Sequence, residues 1–175
     1  MSTISVNPKT GKMTIVNIIL VVTVVMTGLI AGLLYAYSCA INPGLHLLDD
    51  AGYLKAMQSI DRAILNPVFF MSFMGTLILL PLSTILHYGQ PVKFWLLLIA
   101  SVIYIIGSFG VTIAGNVPLN DMLDKVDLKS ASVEQLSAIR AKFEGPWNSL
   151  HAVRTWANVV SLVLVVVATM GRPIK

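Results

Sequence analysis

Residues 13–40, MTIVNIILVVTVVMTGLIAGLLYAYSCA, decide the fold class because this long stretch contains no charged side chain. As a helix it would be about 40 Å long at 1.5 Å per residue, which exceeds the roughly 30 Å hydrocarbon core of a bilayer. It is also far longer than the apolar part of a cleavable signal peptide, about 7–15 residues. The stretch therefore predicts a retained first membrane span that tilts or projects beyond the lipid.

Three further apolar segments follow, at about 66–86, 93–115 and 147–169. The chain is 56% hydrophobic and only 11% charged, whereas an ordinary soluble domain has roughly 25% charged residues. A chain of this composition buries its apolar surface in a lipid bilayer, where helices satisfy their own backbone groups. The sequence therefore predicts an all-α, membrane-embedded four-helix bundle, with residues 1–175 as a single domain.

Several classes of function find no support in the composition. The net charge of +4 is small, and no run of Lys and Arg interleaves with aromatic residues as in a nucleic-acid-binding protein. Cys39 is the only cysteine, which excludes an intrachain disulfide and a cysteine-based metal cluster. The sequence also lacks the GxGxxG, Walker and HExxH motifs.

The charges are divided between two sets of segments. The two termini and the short turn near position 90 contain basic but no acidic residues: Lys9, Lys12, Lys93, Arg172 and Lys175. All eight acidic residues lie in the long connections 41–65 and 116–146. The positive-inside rule then predicts that both termini are cytoplasmic and that both long connections face outward.

Each long connection contains an amphipathic pattern. In residues 49–67, DDAGYLKAMQSIDRAILNP, the apolar side chains at helical spacing are Tyr53, Met57, Ile60 and Ile64. In residues 132–146, SVEQLSAIRAKFEGP, they are Val133, Leu136, Ile139 and Phe143, behind a capping box of Ser132 and Gln135. Both patterns predict a short amphipathic helix over the outer end of the bundle, ending at Pro67 or at Pro146.

A polar stripe opens the fourth span, WNSLHAVRTWANVVS at 147–161. By helical spacing one face collects His151, Arg154, Thr155, Asn158 and Ser161. Such a stripe is expected to face the bundle interior or a cavity, and Arg154 then needs an acidic partner: Asp61, Asp121 or Glu144. The structural alternatives are that Arg154 snorkels to the headgroups, that Trp147 and Trp156 are interfacial anchors, and that Asn158 binds a neighbouring helix.

Two other polar segments lie at the same membrane level. In GNVPLND, residues 115–121, Asn116 and Asn120 flank Pro118, which is expected to break the helix and expose polar backbone, either lining a cavity or as an ordinary helix stop. At the end of the first span Tyr35, Cys39 and Asn42 share one face, and Tyr37 is interpreted as an interfacial belt residue. His46 and His151 also fall on the outer side, but their spacing matches no known metal-ligand pattern.

The chain resembles the four-span membrane family that contains the fungal anthrone oxygenases. Four segments carry the resemblance: GLLYAYSCAINPGL at 32–45, NPVFF at 66–70, GNVPLND at 115–121 and WNSLHAVRTWANVVS at 147–161. Some members of this family oxidise an anthrone to an anthraquinone with molecular oxygen, and most relatives are bacterial. The resemblance thus implies an oxygenase-like protein of a bacterial cytoplasmic membrane, with the family's polar positions at Asn116, Asn120, Trp147, His151, Arg154 and Asn158.

These observations lead to one mechanistic hypothesis. An aromatic carbon acid enters under the amphipathic helices, His151 removes its acidic proton, and Arg154 and Asn116 stabilise the resulting oxyanion. The residues expected to bind substrate are Asn120, Trp147, Asn158, Tyr35 and Asn42. No cofactor is indicated, because an electron-rich carbanion can react with oxygen without a metal.

Other interpretations of the sequence stay open. The weaker cofactor alternative is a metal or haem held by His46 and His151. The rival function is a non-catalytic membrane module that binds a lipid, a small molecule or a metal, or an accessory subunit. Homo-oligomerisation is compatible with either function.

Overall fold

The computed structural model describes residues 14–170, and these residues form five helices. They are α1 (Ile15–His46), α2 (Asp50–Ile64), α3 (Pro67–Leu86), α4 (Pro91–Asp124) and α5 (Val133–Met170). No strand occurs within the described residues, and all of these helices except α2 are long and apolar enough to cross a membrane. The prediction of an all-α membrane protein is therefore confirmed. Lys9, Lys12, Arg172 and Lys175, on which the predicted orientation partly depends, lie outside the described residues.

Side-chain caps determine where the helices at the α2 connection begin. The Asp49 carboxylate accepts the backbone N–H of Gly52 at 2.8 Å and starts α2. The Asn66 side chain accepts the N–H groups of Val68 and Phe69 at 3.0 and 3.1 Å, and Pro67 occupies the first turn of α3. Short polar caps followed by proline satisfy or remove N–H groups that a helix start would otherwise leave unpaired.

The four long helices pack in a ring, in which α1 contacts α3 and α5, and α4 contacts the same two helices. Between them lies an apolar core: Leu20, Ile30, Leu34, Phe73, Leu80, Leu97, Ala100, Tyr104, Val165 and Ala168. Buried hydroxyl side chains join neighbouring helices, as in the pairs Thr23–Ser83 at 2.8 Å and Thr84–Ser101 at 3.1 Å. Membrane helices lack a hydrophobic driving force towards one another, so small residues and interhelical hydrogen bonds supply the contact.

The helices run past Pro118 and Pro146, which were expected to end them, and also past Pro43. Pro43 and Pro118 each follow a π-helical turn and lie in the first turn of the α-helix that resumes there, where a missing N–H is tolerated. Pro146 lies inside α5, where its missing N–H leaves the Lys142 carbonyl without a helical partner. Both residues are exposed to solvent. The predictions that Pro118 breaks the helix and that Pro146 ends one are therefore wrong.

Helix α2 covers one end of the ring, called here the α2 end, where it contacts α4 and α5. A second apolar cluster joins these three helices: Tyr53, Leu54, Met57, Leu123, Leu136, Phe143 and Trp147. The second expected amphipathic helix is the first part of α5, and its Ser132–Gln135 capping box is present, with bonds of 2.8 and 3.3 Å. Val133, expected on its apolar face, is 75% exposed.

Candidate active site

A cavity of about 140 Å³ lies under α2, between the ends of the long helices. Every described helix contributes to its lining, and its polar or aromatic-polar members are Tyr37, Asp61, Thr112, Asn116, Asn120, Trp147, His151 and Arg154. An apolar cavity of about 150 Å³ is large enough to bind benzene. This cavity therefore has room for about one aromatic ring.

The cavity opens between α3 and α4. These helices pack together beside their connecting turn but lose contact towards the α2 end. The lining side chains on this side are large, apolar and exposed: Leu65, Phe70, Ile113 and Val117. The opening thus presents an apolar rim to whatever surrounds the helices, which for membrane-length helices is lipid.

Trp147 forms one wall of the cavity. Its ring stacks on the His151 ring with centroids 5.0 Å apart and planes inclined by 7°, and the Arg154 guanidinium carbon lies 5.0 Å from its ring centre. The indole N–H donates to the Asn120 side-chain oxygen at 2.8 Å. Trp147 is therefore a buried residue of the cavity wall, whereas Trp156 is exposed, as an interfacial anchor would be.

Hydrogen bonds select one tautomer of His151. The Arg154 Nη2 group donates to His151 Nδ1 at 3.2 Å, and a guanidinium has no acceptor atom. Nδ1 must therefore supply a lone pair, which places the ring proton on Nε2. The Nε2–H group donates to the Leu34 carbonyl at 3.2 Å, and the Ser38 hydroxyl lies 3.1 Å from the same nitrogen. The buried ring, 2% exposed, is held from both sides.

Three polar atoms of the cavity residues are buried without a hydrogen-bond partner in the protein: Asp61 Oδ2, Asn116 Oδ1 and Arg154 Nε. Asn116 is 1% exposed. Its Nδ2 group donates to the Trp147 carbonyl at 3.3 Å, so the free atom is an acceptor. A buried polar group without a partner costs about 1–3 kcal/mol. A ligand in this cavity that offered two donors and one acceptor would pair with all three atoms.

Asp61 is the acidic group that shares the cavity with Arg154. The two side chains form no direct ion pair. Burial raises the pKa of the Asp61 carboxyl from 3.8 to about 6; Arg154 opposes this rise in pKa and Asp124 adds to it. Of the other partners predicted for Arg154, Glu144 binds Arg140 and His46, each at 2.7 Å, and Asp121 is exposed.

The structure brings together five of the residues predicted to form the site: Asn116, Asn120, Trp147, His151 and Arg154. It does not bring Tyr35, Asn42 or Asn158 to the cavity. Tyr35 is 61% exposed. Asn42 is half-buried away from the cavity. Asn158 lies one turn beyond Arg154, where its Nδ2 group donates to Ser108 Oγ at 2.6 Å and to the Arg154 carbonyl at 2.7 Å.

Sequence reasoning missed the places of Ser38, Tyr37 and Asp61 around the cavity. Steps of three or four residues lead from buried Thr27 through Ile30 and Leu34 to Ser38, but the same steps also lead to exposed Tyr35. Tyr37, interpreted as a belt residue, lies on the same side and lines the cavity. Asp61 entered only as a possible partner of Arg154, because no periodicity shows how α2 docks on the long helices.

The two histidines considered for a metal have separate partners. His46 is exposed and its Nδ1 atom lies 2.7 Å from Glu144, whereas both ring nitrogens of His151 are used inside the protein. Within residues 14–170 no group of three or more His, Cys, Asp and Glu side chains is arranged to hold a metal ion.

Residues 14–170 are helical, include four membrane-length helices and enclose an aromatic-walled cavity, so the chain is a small membrane protein. The family model described as anthrone oxygenase matches residues 57–164, which is more than half of the chain, and the chain belongs to this family. The match includes Asp61 and every site residue of α4 and α5 and leaves α1 outside. Neither a search of curated proteins nor one of solved structures finds a match.

Proposed function

We propose that this protein oxidises an aromatic carbon acid of the anthrone type with molecular oxygen, in the cavity under α2. The observation that carries the proposal is the meeting of one free donor, Arg154 Nε, and two free acceptors, Asp61 Oδ2 and Asn116 Oδ1, at one partly open cavity. Family membership supplies the reaction class.

The reaction balances without a further reactant. An anthrone and one O₂ give an anthraquinone and one water: the methylene carbon loses two hydrogens and gains one oxygen atom. A base first takes one methylene proton, and the electron pair spreads through the ring to the carbonyl oxygen. The carbon then bonds to O₂ and forms a peroxide. Loss of the second carbon-bound proton breaks the O–O bond, leaves a new carbonyl, and releases the outer oxygen as water.

The cavity residues match these charges. Arg154 presents a buried donor for the developing enolate oxygen, where a preorganised charge in a dry site acts most strongly. Asn116 takes a different role from the one expected from the sequence: its free atom is an acceptor, which suits a substrate hydroxyl and not an oxyanion. His151 was expected to be the base, but its Nδ1 lone pair already accepts a hydrogen bond from Arg154.

The size of the cavity sets how a three-ring substrate binds. The cavity of about 140 Å³ has room for about one ring, so a three-ring substrate also needs the space beside the exposed side chains of α3 and α4, Phe70 and Ile113. A hydrophobic substrate dissolved in lipid reaches such an opening directly. In our proposal the membrane is a bacterial cytoplasmic membrane, both termini are cytoplasmic, and the cavity lies near the outer face.

Turnover by the purified protein tests this function. In detergent, the wild-type protein is expected to consume one O₂ per anthraquinone formed from a hydroxylated anthrone, above the rate without protein. Arg154→Gln should lower kcat by about 10²–10³-fold, as for loss of an oxyanion donor, and Lys55→Gln, which removes an exposed cation on α2, should leave kcat unchanged. Wild-type turnover at the background rate, or full activity of Arg154→Gln, would contradict the proposal.

A non-catalytic ligand-binding module is the second candidate, favoured by a cavity with room for only about one ring. In that case the protein retains an aromatic ligand through purification, and the anthrone quenches tryptophan fluorescence without oxygen uptake. Saturable binding together with background turnover would select this candidate.

A further inference from the structure

We infer that Asp61 is the group that accepts the carbon-bound proton of the substrate, and that His151 is a positioning residue that holds Arg154. This inference rests on the proposed function and specifies the acid–base chemistry of the same site.

Asp61 and Arg154 supply the two kinds of group, an acceptor and a donor, that the two reacting ends of the substrate require. Both line the cavity, each has a buried atom without a partner, and no ion pair joins them. In an anthrone the carbonyl oxygen and the acidic carbon lie on opposite sides of the middle ring. A substrate whose oxygen faces the Arg154 donor therefore directs its acidic carbon away from Arg154, which is where a separate acceptor is needed.

His151 is unsuited to take the proton. Its Nε2 atom already carries a proton directed at the Leu34 carbonyl, and its Nδ1 lone pair is occupied by the Arg154 guanidinium. Protonation at Nδ1 would require Arg154 to leave and would place two cations side by side in a buried site. These two hydrogen bonds fix the His151 ring and allow it to orient Arg154.

Asp61, in contrast, has a free carboxylate oxygen at the cavity. Its pKa of about 6 lies just below neutral pH, where a general base combines availability with basicity. The charged or titratable groups that face it are Arg154 on α5, Asp124 on α4 and Tyr37 on α1. Arg154 lowers the pKa of Asp61 and Asp124 raises it.

One carboxylate can serve the whole reaction. The first methylene C–H bond breaks, its proton goes to Asp61 Oδ2, and the electron pair passes into the ring. After the carbon has bonded to O₂, Asp61 returns this proton to the peroxide anion. Asp61 then takes the second carbon-bound proton as the O–O bond breaks, and gives it to the departing hydroxide to form water.

Matched aspartate variants test the assignment by kinetics in detergent. Wild-type kcat should rise with pH through about 6 and then level off, since only the carboxylate accepts a proton. Asp61→Asn should lower kcat by about 10²–10⁴-fold and remove this pH dependence, whereas Asp61→Glu should retain it. Asp121→Asn, at an exposed carboxylate of the same end, should behave as wild type. Asp124→Asn should move the rise to lower pH, because its carboxylate raises the pKa of Asp61.

Variants of His151 separate positioning from proton transfer. His151→Gln keeps an acceptor for Arg154 and should lower kcat while preserving the rise with pH. His151→Leu removes the acceptor and should lower kcat further. A rise that persists in Asp61→Asn and disappears in His151→Gln would overturn the inference.

Proton transfer is also measurable without oxygen. Anthrone itself is the probe, since its enolate absorbs at longer wavelength than the neutral ketone. Under nitrogen, wild-type protein should ionise bound anthrone with increasing pH, and Asp61→Asn should not. Ionisation without aerobic turnover supports the role of Asp61 and refutes the proposed function. Full turnover by Asp61→Asn refutes the role of Asp61 and leaves the function standing. Neither ionisation nor turnover in the wild type refutes both.

Discussion

At the scale of single residues, the carboxyl group of Asp61 opposes stability at the pH where it would act. Its pKa is about 6 in the folded protein and 3.8 when free of the fold. A raised folded-state pKa contributes stability that is fully present below about pH 4 and is lost as the pH rises through about 6. The buried carboxylate is thus a destabilising feature at neutral pH, which is typical of functional sites.

Asp61→Asn should therefore raise the thermal midpoint of the detergent-solubilised protein at pH 8. A gain of about 2–4 °C, roughly 1 kcal/mol for a chain of this size, is expected, because a neutral amide replaces a desolvated charge. The difference between variant and wild type should vanish at about pH 4. Thermal unfolding from pH 4 to 8, with Asp121→Asn as control, measures it. An Asp61→Asn protein that melts below the wild type at pH 8 would contradict this account.

At the scale of elements, Arg140 attaches α2 to the rest of the molecule. Its guanidinium donates to the carbonyls of His46 and Leu48 at 2.9 and 2.7 Å and pairs with Asp50 and Glu144 at 3.1 and 2.7 Å. It also lies 4.5 Å from the ring centre of Tyr53. This one side chain of α5 thereby pairs with backbone carbonyls at and just after the end of α1 and with a carboxylate at the start of α2. It keeps α2, which carries Asp61, over the cavity.

Arg140→Met should loosen α2 while leaving the four long helices folded. Removing a largely buried, hydrogen-bonded cation and leaving its partners unpaired should lower the free energy of unfolding by about 3 kcal/mol. Hydrogen exchange should become faster in residues 47–64. Arg62→Met is the control, since its ion pair with Asp124 is exposed and is expected to be worth at most about 1 kcal/mol. Equal exchange in the two variants would show that Arg140 does not hold α2.

The helices themselves were largely predictable, and their ends were not. The apolar runs after Thr14 and Asn66 identify α1 and α3, because length and hydropathy suffice for a membrane helix. Pro118 and Pro146 suggested stops, but a π-helical turn accommodates the first and solvent exposure the second. A proline ends a helix only where the freed carbonyl finds no other partner, and that depends on neighbours that the local sequence does not reveal.

At the scale of the whole molecule, the orientation in the membrane decides which compartment the α2 end faces. The basic turn at Lys93 and the acidic connections predict that the loop at 125–132 is external and that the turn at 87–90 is cytoplasmic. In a Cys39→Ala background, Lys129→Cys should react with a membrane-impermeant maleimide in intact cells. Gly89→Cys should react only after lysis. Labelling of Gly89→Cys in intact cells would reverse the orientation.

The sequence by itself determined the class of the protein. Long uncharged runs, few charges and four short motifs specify membrane helices and the anthrone oxygenase family, because these properties depend on neighbours along the chain. The polar stripe from His151 to Asn158 was likewise visible, since helical periodicity places these side chains on one face. The sequence did not show which of these side chains line the cavity and which contact a neighbouring helix.

Only the tertiary structure decided which polar atoms meet. Asp61, Asn116 and Arg154 come from three different helices, and their free atoms share one cavity because α2 docks on α4 and α5. The tautomer of His151 follows from a bond to Arg154 and another to the first helix. Such contacts depend on how helices pack against one another, and packing is set by side-chain shape in three dimensions, not by periodicity along one chain.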